Sequence, residues 1–76
     1  MNDLYQQVVE AFKAGDKQKA KSLLEELIKS EPNNADALFG LSMCSDTFEQ
    51  TKSFLERVLA INPNYPKARE RLDKLT

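Results

Sequence analysis

The chain has 76 residues, eleven of them Lys or Arg and twelve Asp or Glu, for a formal net charge of −1. That length makes one domain, burying roughly 60% of its unfolded surface, and the balanced charge removes the general attraction to phosphate on which nucleic-acid binders rely. With one cysteine and no histidine, an internal disulfide and a His/Cys zinc site are both excluded.

The opening stretch MNDLYQQVVEAFKAGD is acidic and amphipathic, without a basic start followed by an apolar run, so no secretory signal is expected. Within it Leu4, Val8, Ala11 and Phe12 fall at i, i+4, i+7 and i+8. This spacing predicts a helix from about Asp3 to Ala14, stopped at Gly15, where a left-handed closing residue costs little. Asp16 is the expected cap of a second helix, whose inward face is Ala20, Leu23, Leu24, Leu27 and Ile28. Lys17, Lys19, Lys21, Glu25, Glu26 and Lys29 fall largely outside that face, and Pro32 ends the helix.

Asn34 is a good cap for a third helix through ADALFGLSMC, with Ala37, Leu38, Leu41 and Cys44 inward. Cys44 reads as a small buried hydrophobe, in a reducing compartment. Asp46 with Glu49 three residues on has the form of a capping box, starting a fourth helix with apolar Phe54, Leu55, Val58, Leu59 and Ile61. Asn62 and Pro63 close it, and Pro66 opens a fifth helix with Ala68, Leu72 and Leu75 inward. No apolar stretch reaches the ~20 residues that span a bilayer. A soluble, cytoplasmic, all-α chain is therefore expected, with neighbouring helices antiparallel because the turns between them are short.

The segment EPNNADALFG at 31–40 returns in looser form as NPNYPKARER at 62–71, with Pro32 and Pro63 31 positions apart. Echoes at that range point to stacked copies of one small unit. AGDKQKAKSLLEELIKSEPNN and SDTFEQTKSFLERVLAINPNY resemble the second halves of tetratricopeptide repeats. The first unit reads Leu4, Gln7-Val8, Ala11, Ala20-x3-Leu24 and Pro32; the second reads Leu38, Leu41-Ser42, Thr51-x3-Leu55 and Pro63. The resemblance implies an antiparallel helix-turn-helix solenoid fragment of five helices, with units at 1–32 and 33–63 and a closing helix at 64–76. Pairing Leu4 with Leu38 makes the second unit three residues short, and the loss is assigned to the end of its first helix.

Catalysis is not expected. Without histidine a general base would be a carboxylate or lysine, and the acidic residues fall on exposed faces or at caps with no convergent pair. Both glycines are isolated, so there is no phosphate loop, and neither a cofactor nor a metal is expected. In tetratricopeptide proteins the first helices line a concave groove that receives partner peptides. The resemblance thus places Tyr5, Val9 and Phe12 beside Phe39, Gly40 and Met43, flanked by Lys67, Arg71 and Lys74 of the closing helix. Lys67 and Arg71 match the Lys/Arg pair with which some members clamp a terminal carboxylate, whereas Tyr5, Val9 and Gly40 stand where the remaining clamp residues belong. The expected function is a small protein-interaction module for a peptide segment or neighbouring domain. The alternative is self-association as a homodimer, since two units fall below the three usual for a stable stack.

Overall fold

The computed structural model describes residues 3–75. It consists of five α-helices, α1 (Asp3–Lys13), α2 (Lys17–Ser30), α3 (Ala35–Cys44), α4 (Phe48–Ile61) and α5 (Pro66–Leu75), and the described residues contain no strand. None of these helices is long and apolar enough to cross a membrane.

Local chemistry sets most of the helix ends. After α1, Gly15 takes φ 76°, the left-handed conformation open to glycine. The Asp16 N–H then reaches back to the Ala11 carbonyl at 2.9 Å, satisfying a terminal acceptor. Asp16 starts the next helix at once, its carboxylate accepting from the Lys19 N–H at 3.1 Å. Asn34 caps α3 in the same way, with Oδ1 accepting from the Ala37 N–H at 3.1 Å.

The cap of α4 differs from the expected one: it is Thr47, whose hydroxyl accepts from the Gln50 N–H at 3.2 Å, and Asp46 lies in the turn. Hydroxyl groups of neighbouring residues bond across this turn. The Ser45 and Thr51 hydroxyls bond to each other, and the one that accepts in that bond gives its own proton to a carbonyl, that of Ser42 from Ser45 or that of Thr47 from Thr51. These bonds accompany an extended backbone at Ser45 and Thr47, and the helix starts one residue later than expected.

The core is one cluster: Val8 and Ala11 from α1, Ala20, Leu24 and Leu27 from α2, Ala37, Leu38, Leu41 and Cys44 from α3, Leu55 and Val58 from α4, and Ala68 from α5. Each helix packs chiefly on its neighbours in sequence. α3 is enclosed most completely, as expected of a helix apolar on nearly all sides. It approaches α2 closely through Gly40, where a Cβ would stand 3.0 Å from Leu24 Cδ1. Of the apolar residues of α4 only Leu55 and Val58 are buried, and Leu59, expected to be buried, lies farther out. Leu59 is half-buried, and Ile61, in the last position of α4 and beyond the final core residue Val58, is 39% exposed.

An offset of 31 residues relates the later elements. α2 and α4 have 14 residues each and begin at Lys17 and Phe48; α3 and α5 have 10 each and begin at Ala35 and Pro66. The caps Asp16 and Thr47 keep this offset, as do the closing residues Glu31 and Asn62, whose N–H groups each donate to a carbonyl at 2.8 Å. The fully buried Ala37 and Ala68 keep it too. α1 and α3 also end 31 apart, at Lys13 and Cys44, and their lengths are 11 and 10 residues. The three-residue shortening inferred by pairing Leu4 with Leu38 therefore does not correspond to a helix three residues shorter.

Candidate functional site

The odd-numbered helices share one open face. A groove of about 530 Å³ is lined by Tyr5, Val8, Val9, Phe12 and Lys13 of α1, Asp36, Phe39, Gly40 and Met43 of α3, and Tyr65 and Lys67 at the start of α5, with Leu24 of α2 behind. A second depression of about 520 Å³ continues it along α5, between Phe39 and Met43 on one side and Lys67, Glu70, Arg71 and Lys74 on the other. The 31-residue offset holds here as well. Tyr5, Val8, Val9 and Phe12 correspond to Asp36, Phe39, Gly40 and Met43, and these to Lys67, Glu70, Arg71 and Lys74. Three helices thus turn the same four positions to one surface. Their chemistry grades from aromatic and aliphatic on α1 to largely cationic on α5.

All seven residues singled out in the sequence lie on this surface: Tyr5, Val9, Phe12, Phe39, Met43 and Lys67 in the first depression, Arg71 in the second. Their environments differ. Tyr5 is 43% exposed, and it stands with half-buried Val9 and Met43 outside the core cluster. Phe12 and Phe39 are half-buried and pack one side against that cluster, serving core and groove together. Lys67 is exposed at the junction of the two depressions. Arg71 is held against the groove wall, its guanidinium carbon 5.7 Å from the centre of the Phe39 ring, within the range of cation–π attraction.

Tyr65 and Asp36 were not anticipated. The Tyr65 ring packs tilted against Phe39 with centroids 5.4 Å apart, and its hydroxyl donates to Asp36 Oδ1 at 2.6 Å. Burial, then this hydrogen bond, then the negative charge of Asp36 all push the Tyr65 phenol above its ordinary range. A signal for it existed in the sequence. Position 65 corresponds at the 31-residue offset to the cap Asn34, and a tyrosine there forgoes the short polar side chain that a helix start favours.

Elsewhere the chemistry is sparse. Cys44 is a buried free thiol beside a small pocket of about 50 Å³ lined by Lys17, Gln18, Lys21 and Asp46. Among the described residues no three His, Cys, Asp or Glu side chains are grouped to hold a metal ion. No protein-family model matches this chain, and no curated protein or solved structure matches it.

Proposed function

We propose that this chain is a protein-interaction module of the tetratricopeptide kind, docking a peptide segment or a neighbouring domain in the groove across α1, α3 and α5. The observation that carries this reading is the recurrence of four groove positions at 31-residue intervals on three helices, where Tyr5, Val9 and Met43 carry large apolar side chains that stand outside the core. A repeated helix pair explains the shared register, and partner binding explains Tyr5, Val9 and Met43, whose apolar surface gains little by facing water. The free thiol of Cys44 fits a reducing, cytoplasmic setting.

An arrayed peptide library probed with the wild-type protein, Phe39→Ala and Phe48→Ala tests the reading. Phe48 is 53% exposed on α4 and does not line the groove, so its variant serves as the outer-face control. Peptides captured by wild type are lost by Phe39→Ala, with thermal unfolding confirming that the variant is folded, and are kept by Phe48→Ala. The reverse pattern assigns binding to the outer face. Exposed Phe48 and Ile61 also give the self-association reading a surface, and sedimentation velocity over a concentration series separates the two. The groove reading expects a monomer at every concentration.

A further inference from the structure

The graded chemistry of the groove names its occupant. We propose that the groove selects an acidic segment of a partner protein, with aromatic or branched aliphatic anchors against α1 and α3 and a row of carboxylates along α5, and that Tyr65 enforces this choice by holding Asp36. The assignment rests on the groove being the binding surface. Its first support is charge. Four cations, Lys13, Lys67, Arg71 and Lys74, and two carboxylates, Asp36 and Glu70, line the two depressions, so the groove is positive on a chain whose net charge is −1. A charge of one sign collected in a cleft recruits partners of the other sign and rejects those of its own.

The second support is spacing. Lys67, Arg71 and Lys74 follow one another at i, i+4 and i+7, which spreads them over about 10 Å of helix. A single terminal carboxylate cannot reach all three. Several acidic side chains about 5–6 Å apart can, a separation that matches neighbours on a helix face. Arg71 remains available for this while it lies over Phe39, since stacking engages the guanidinium face and leaves its N–H edge free to donate.

The third support is the lost cap. Where α3 has Asn34 as its cap, α5 has Tyr65, whose hydroxyl is committed instead to Asp36 across the groove wall. Departures from a local rule collect at functional positions. Asp36 lines the same depression as Lys67; released, it would compete with the ligand for that cation. The bond from Tyr65 engages Oδ1 and holds the carboxylate in place, so that it competes less well for Lys67.

Three dye-labelled, amidated peptides of equal length and equal Phe and Leu content test the proposal by fluorescence anisotropy at low and high salt, with Glu, Gln or Lys at all other positions. Wild type binds the Glu peptide roughly tenfold more tightly than the Gln peptide at low salt, with the Lys peptide weakest. The double variant Lys67→Gln with Lys74→Gln, which leaves the Arg71–Phe39 contact in place, loses that preference and its salt dependence but keeps its affinity for the Gln peptide. Tyr65→Phe weakens the Glu peptide alone, and adding Asp36→Asn to it restores binding, a rescue that mere structural damage would not allow. Equal binding of the Glu and Gln peptides, or a Glu preference untouched in the lysine variant, overturns the inference. If Phe39→Ala still abolishes binding in that case, the groove reading survives; if no peptide binds in a Phe39-dependent way, both fall.

Discussion

Tyr65 and Cys44 each carry a protonation equilibrium that the fold disturbs, and each makes a residue-scale prediction. The phenol of Tyr65 is pushed up by burial and by its bond to Asp36, so in the unfolded chain it releases its proton first. A raised acid of this kind contributes stability in full below its unfolded pKa, about 10, and that contribution is lost as pH rises beyond it. Urea unfolding should therefore lose stability above about pH 10 more steeply in wild type than in Tyr65→Phe; parallel curves would show that the bond to Asp36 has no energetic weight. Cys44 is also pushed up, chiefly by burial, with Lys17 and Lys21 drawing it partly back and Asp46 adding to the rise. Its thiolate is scarce at neutral pH and its sulfur is covered. Alkylation should be slow in the native protein and accelerate along the unfolding transition. Rapid native labelling would contradict the packing of α3 described above.

At the scale of elements, burial decides what each helix contributes. Leu27 of α2 and Leu55 of α4 are fully buried, and truncating either to Ala should lower stability by about 2–5 kcal/mol. Out of the 5–15 kcal/mol common to single domains, that is a large share. Half-buried Leu59 should cost clearly less, and the ordering is read from urea midpoints; an equal loss at Leu59 would mean that the inward face of α4 is misplaced. The helices and most of their ends were legible in the sequence because caps, glycine and proline act within one or two turns. Asp16, Asn34 and Gly15 obey rules that need no tertiary structure. The start of α4 was not legible to the residue, since Asp46 and Thr47 can both cap. Thr47 caps the helix, and beside it the Ser45 and Thr51 hydroxyls bond to each other across the turn, a contact made only once the two helices meet. Leu59 was expected to be buried and is half-buried, because apolar character alone does not say how far the core extends.

For the whole molecule, the organising fact is a register of 31 residues that brings equivalent positions of α1, α3 and α5 to one face. The spacing of Pro32 and Pro63 already contained that number. Pairing the first apolar residues of the units hid it, because Leu4 and Leu38 differ in burial, half-buried in one helix and fully buried in the other. The groove residues were legible as stripes at helical spacing. Tyr65 was not, because its role depends on a partner 29 positions away in the chain. Amide chemical-shift mapping tests most directly whether the groove is the surface that binds. ¹⁵N-labelled protein is titrated with the Glu-bearing Phe/Leu peptide, and shifts are assigned residue by residue. The account predicts perturbations at Val9, Phe12, Phe39, Met43, Lys67 and Arg71, with the outer faces of α2 and α4 unchanged. Perturbations confined to those outer faces, around Lys19 and Lys52, with the groove residues silent, would contradict it.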